Sequence, residues 1–220
     1  MNDKYSMSEQ ESLQLISSMI DKAKNSYHDR GTASILWGTV ISICSLVTWA
    51  QIYFDHWLGF DIWMLTIAAI IPTVWLSIRE KKLRKAKSYD QTAMDAVWMC
   101  FGMAIFLTVH ASLAAGAAFA SLKDTIEHAG MSRPAISFNE YSSSYMLTLY
   151  GIPTLVTAAI KNFKPMYIGG IICWLSAIIS IYTPVDIDML LMALSAITAW
   201  LIPGIILRSR SKSKTEAQHV

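Results

Sequence analysis

IAAIIPTVWLSI, residues 67–78, runs without a charge into REKKLRKAK, residues 79–87, where six of nine residues are basic. In a soluble chain so dense a basic run would point to nucleic acid. Directly after an apolar run, it marks the place where a helix leaves a membrane. The rest of the chain decides between the two readings.

Hydrophobic residues make up 54% of the 220 and charged residues 15%, against about 25% charge in an ordinary soluble domain. The charges fall in blocks separated by six runs free of Asp, Glu, Lys and Arg: Ala33–Phe54, Ile62–Ile78, Ala96–Leu122, Tyr141–Ile160, Pro165–Val185 and Met189–Leu207. Most reach the ~20 residues that a helix needs to cross a ~30 Å hydrocarbon layer. The second is the shortest, and extends back through Trp57–Phe60 if Asp61 sits at the interface. The expected fold is an all-α membrane protein, a six-helix transmembrane bundle over residues 33–208. Residues 1–32 precede it and a basic tail, 209–220, follows. The first 32 residues are polar and mixed in charge, unlike a cleavable signal peptide, so the first span is expected to act as the insertion signal.

Lys and Arg number four before the first run, none after it, six between the second and third, and two between the third and fourth. Two more separate the fourth from the fifth, none the fifth from the sixth, and four lie in the tail. Alternate segments hold sixteen and two. The excess of Lys and Arg on cytoplasmic loops then places both termini in the cytoplasm. REKKLRKAK becomes a cytoplasmic loop facing anionic lipid headgroups, at ~1 kcal/mol per basic residue. Nucleic acid is not expected, because no folded module follows before the third run.

Three Ile-Pro pairs recur near the basic ends of alternate runs: Ile71-Pro72, Ile152-Pro153 and Ile202-Pro203. Trp37-Gly38, Phe101-Gly102 and Ile168-Gly169 mark the other three. Gly38 precedes Pro72 by 34 residues, as Gly169 precedes Pro203. An offset of 131 also aligns Ile41 with Ile172, Ser45 with Ser176, Asp55 with Asp186, Ala68 with Ala199 and Leu76 with Leu207. This suggests three helical hairpins in parallel orientation, an arrangement that transporters and plain duplicated bundles share. Pro72, Pro153 and Pro203 are expected to kink their helices, either as hinges around a cavity or as static bends.

The third run carries small residues at every fourth position, including Ala104, Thr108, Ser112, Gly116 and Ala120. Such a stripe lets two backbones approach in lipid, so the third span is expected at the bundle centre or at a subunit contact. His110 is the ionisable residue deep in a run, on the face away from the stripe near Phe106 and Leu113. It is a candidate for proton relay or ligand binding, against the plainer reading of a hydrogen-bonded packing residue. No carboxylate is expected inside the spans. Cys44, Cys100 and Cys173 read as packing residues. Asp124, Glu127, His128 and Glu140 in the outer loop read as solvated charges rather than a metal set. No spacing suggests a catalytic pair, a phosphate loop or a cofactor.

Ahead of the first run, Ser8 and Glu11 form a capping box. Leu13, Ile16, Ile20 and Ala23 share a face, so an amphipathic helix is expected to lie on the cytoplasmic interface or cover a protein partner. ESLQLISSMIDKAKNSYHDRG, running into ILWGTVISICSL (residues 11–31 and 35–46), resembles a family of uncharacterised six-span bacterial inner-membrane proteins. The resemblance covers the whole chain. It implies a multi-pass protein of the bacterial inner (plasma) membrane and transfers no active residue. Two functions are expected in turn: a non-enzymatic membrane component that anchors or regulates a partner, and a small-solute permease or transporter subunit.

Overall fold

The computed structural model describes residues 10, 12–14, 31–83, 89–129 and 141–217. The amphipathic segment falls almost wholly outside them; of its apolar face, Leu13 is described and exposed. Glu140 and the last four residues of REKKLRKAK, 84–87, also lie outside. Among the described residues the regular structure is helical, with no strand.

Each charge-free run forms a helix. These are α1 (Thr32–Tyr53), α2 (Met64–Leu83), α3 (Tyr89–His128), α4 (Ser142–Lys161) and α5 (Lys164–Ser180). The last run forms α6 (Val185–Ala196), a π-helical segment (Ile197–Leu201) and α7 (Ile202–Ala217) in unbroken succession. Four of these are long and apolar enough to cross a membrane: α1, α3, α4 and the continuous stretch Val185–Arg210. The apolar part of α2, Met64–Arg79, and α5 are shorter. With 17 residues, α5 spans about 25 Å at 1.5 Å per residue.

Local chemistry sets the ends. Gly31 precedes α1 at φ 62°, in the left-handed region, and a Cβ there would run into the Gly204 carbonyl; only glycine meets both demands. α4 stops where Asn162 turns left-handed at φ 47°. α5 starts at once, with a proline in its first turn, where the missing N–H costs nothing. Pro184 likewise leads into α6.

Three close approaches build the core. α1 lies along α6 and the π segment, and Gly38 faces the Leu201 backbone. On the other side of that segment, α5 brings Gly169 against the backbone of Ala199. α4 packs on α5, with Gly151 under the Trp174 ring and Gly170 against Leu155. Ser144 Oγ donates to the Ala177 carbonyl at 2.8 Å and Trp174 Nε1 to that of Thr148 at 3.3 Å. The π segment is thus the axis about which α1, α4 and α5 are arranged.

α2 and α3 flank this core. α2 sits on α1, where Trp63 Nε1 donates to Thr48 Oγ1 at 3.1 Å and the Cys44 thiol to the Ile62 carbonyl at 3.5 Å. α3 sits on α4 through Trp98, Phe101 and Ile105. No substantial contact joins α2 to α3 among the described residues. α3 also begins before its apolar run and continues through Asp124, Glu127 and His128, which sequence reading assigned to a loop. At 40 residues it is about 60 Å long, twice the thickness of the hydrocarbon layer.

Candidate functional site

Hinges at Pro72, Pro153 and Pro203 around a cavity, or static bends there, were the two expectations for the interior. Pro153 and Pro203 are fully buried. Pro203 cannot donate to the helix ladder, and the turn before it widens: Ile202 N donates to the Ile197 carbonyl, five residues back. That widening turns Trp200 inward.

Trp200 is 3% exposed. Its ring centroid is 4.8 Å from Tyr150 and 6.1 Å from both Phe101 and Trp98. Its Nε1 donates to Thr154 Oγ1 at 2.9 Å, and Thr154 Oγ1 in turn donates to the Tyr150 carbonyl at 2.7 Å. Trp98 Nε1 donates to Thr157 Oγ1 at 3.1 Å. Four rings from α3, α4 and the π segment therefore fill the space, and both indole N–H groups are satisfied. The threonine of Ile152-Pro153-Thr154 bonds the carbonyl one turn back, and Thr73 of Ile71-Pro72-Thr73 does the same to Ala69 at 2.7 Å. Pro72 is half-buried on α2 at the edge of the bundle, so the three prolines do not surround one common space.

Towards the other end the interior turns polar. Cys44, Cys173, Ser45 and Ser195 are fully buried. The hydroxyls of Ser45, Ser180 and Ser195 meet no hydrogen-bonding partner among the described residues. Asp188, in the first turn of α6, is 0% exposed and accepts a 2.6 Å hydrogen bond from Thr183 Oγ1. This corrects the expectation that no carboxylate enters the bundle. Asp188 stands one residue outside the sixth charge-free run, and counting charges by runs puts it at the surface. Its place one helical turn after Thr183-Pro184 is the signal that identifies it: the proline starts the helix and the threonine hydroxyl donates to the carboxylate.

His110 lies on the exposed face of α3, its ring 4.3 Å from Phe106 and inclined at 39°. On the opposite face, Ala104, Thr108, Ser112 and Gly116 are half-buried and Ala120 is exposed. Thr108 Oγ1 turns back to the Ala104 carbonyl at 2.8 Å. A Cβ built on Gly116 meets nothing within 4 Å, and neither does one on Gly102. The stripe therefore has no close helix beside it at Gly116, and α3 is peripheral within the described chain. Cys100 is exposed, unlike the other two cysteines. Among the described residues no three of His, Cys, Asp and Glu gather as a metal set.

The aromatic cluster fastens helices together and holds no nucleophile with a base. Trp98, Phe101, Tyr150 and Trp200 carry no sequence motif; their spacing relative to Thr154 and Thr157 becomes meaningful once α3, α4 and the π segment are brought together. No family model, no curated protein and no solved structure matches the chain.

Proposed function

We propose that this protein is a six-span component of a bacterial inner membrane, with both termini cytoplasmic, that anchors or regulates a partner and catalyses no reaction. α2 and α5 complete the six crossings, short as they are, because adjacent polar and aromatic residues reach the interface and the bilayer thins at modest cost. The starts of α1 and α5, the end of α4 and α7 lie together at one end of the bundle, as the contacts of Gly31 with Gly204 and of Arg210 with Phe163 require. That end carries the basic residues, which supports its cytoplasmic assignment. Its anionic partners are lipid headgroups, and its protein partner docks through the N-terminal segment. The three hairpins are read as duplicated units, with Gly38 and Gly169 in corresponding roles.

The observation that carries the reading is the filled interior. The buried Trp200 and Tyr150 rings stand 4.8 Å apart beside Thr154, where an alternating-access path needs a polar, solvated site. A small-solute permease is the second reading, favoured by Asp188 and the enclosed hydroxyls of Ser45 and Ser180. The test is crosslinking in intact membranes, comparing the full chain with one lacking residues 1–32. A stoichiometric partner lost on that truncation supports the reading. Solute flux in reconstituted vesicles, with no partner in membranes, contradicts it.

A further inference from the structure

Where α5 turns into α6, polar side chains are enclosed by three helices. Asp188 is 0% exposed and accepts from Thr183 Oγ1 at 2.6 Å. Thr183 Oγ1 also stands 3.2 Å from the Ile179 carbonyl, so the carboxylate sits at the C-terminal end of α5. The start of α4 closes this end of the hairpin, with Ser144 Oγ donating to the Ala177 carbonyl at 2.8 Å.

Ser180 is aimed at the same place. Gly169 of α5 faces the Ala199 backbone, and Cys173, Ser176 and Ser180 follow it by steps of four, three and four residues. At about 100° per residue, all three lie within about 40° of Gly169. All three are buried, so one face of α5 lies on the central helix as far as Ser180. Ser180 is eleven residues beyond Gly169, and Asp188 is eleven before Ala199. In the antiparallel hairpin they stand level, about 16 Å from the glycine contact. The Ser180 hydroxyl nevertheless has no partner among the described residues. Ser42, Thr48 and Thr154 turn their hydroxyls back to the carbonyl four residues earlier. Ser180 leaves that of Ser176 unused, and its oxygen faces the space beside Asp188.

We propose that Asp188, Thr183 and Ser180 form a binding site for one monovalent cation of the size of sodium. All three donors are oxygens, the ligands that hard cations take. Thr183 gives its single proton to the carboxylate and still presents lone pairs, as Ser180 does. One carboxylate matches one positive charge. Calcium takes about six to eight oxygens, often from several carboxylates, and no such acidic set gathers among the described residues. Water would satisfy the hydroxyls but brings no charge to an enclosed carboxylate, whereas a cation does both. The site goes beyond the anchoring role and does not depend on it.

The experiment holds the purified full-length protein in neutral detergent at constant ionic strength, while choline chloride is replaced by sodium or potassium chloride. The melting temperature and the binding of radiolabelled sodium are read. Sodium is expected to bind saturably, at about one ion per chain, and to raise the melting temperature; potassium acts more weakly. S180A is expected to weaken sodium binding about tenfold, and T183V and D188N at least as much. S45A, which removes an enclosed hydroxyl of α1 outside the site, is expected to leave it unchanged. Should D188N not fold, S180A and T183V carry the comparison, their melting in choline verifying folding. No sodium effect on the parent, potassium matching sodium, or unchanged sodium affinity in S180A would each overturn the site. Melting lowered equally in both salts by S180A would identify an enclosed water instead, and would overturn it too.

Discussion

The third and sixth runs look alike as sequence: long, apolar and rich in small residues. In the fold they are opposites. None of the apolar window of α3 is buried, whereas 44% of the window in Val185–Arg210 is. Apolarity qualifies a helix to enter a membrane, because lipid and protein interior are equally free of water. It does not say which helix other helices surround. That is decided by where backbones approach closely and which large rings fill the gaps. Gly38 and Gly169 press on the π segment from two sides, while Gly116 and Gly102 on α3 press on nothing among the described residues.

The largest effect expected from this contrast is at the rings. Trp200→Ala should cost about 3 kcal/mol or more, because neither lipid nor water fills an enclosed gap among Trp98, Phe101 and Tyr150. Phe106→Ala, at the exposed face of α3, should cost less than about 1 kcal/mol, since lipid takes the vacated space. Thermal melting in detergent distinguishes them; equal losses would remove the distinction between core and periphery.

The glycines come next. Gly38→Leu and Gly169→Leu place side chains against the backbones of Leu201 and Ala199, and should each cost about 3 kcal/mol. Gly116→Leu should change melting by less than about 0.5 kcal/mol. A large loss at Gly116 would show that a second chain lies against the stripe. Thr154→Val is smaller again: it keeps the shape but leaves the Trp200 N–H without an acceptor, at about 1–3 kcal/mol. His110→Gln should leave melting within about 0.5 kcal/mol of the parent, because the described contact of His110 is the ring of Phe106 on the open face. A loss above about 2 kcal/mol there would mean a buried, hydrogen-bonded histidine.

The helices themselves were legible in the sequence. Charge-free runs placed α1, α4 and α5 within a few residues, and of the basic residues Arg210 meets Phe163 of the α4–α5 turn. Gly38 and Gly169 were singled out by spacing alone, and both proved to be close approaches. Gly102, which shares their motif, did not, because the packing that makes a small residue matter belongs to the neighbour. The same reason hid the centre of the bundle: the stripe of α3 shows a face able to pack, and nothing in its own residues says whether anything stands there. The π segment was illegible for another reason. It arises from the missing N–H of Pro203 and is held by backbones from α1 and α5, which are remote in sequence. Asp188 was overlooked because a charge next to a run reads as surface until Thr183 is seen to receive it.

The three cysteines offer the most direct measurement of the centre against the edge. Cys44 on α1 and Cys173 on α5 are fully buried, and Cys100 on α3 is exposed. The folded, full-length protein in mild detergent is treated with a small apolar thiol reagent, before and after denaturation, and the modified peptides are identified by mass spectrometry. The expected result is modification at Cys100 alone in the folded protein and at all three after unfolding. Rapid modification of Cys44 or Cys173 in the folded protein, with Cys100 protected, would contradict a core built from α1 and α5 around the π segment, with α3 outside it.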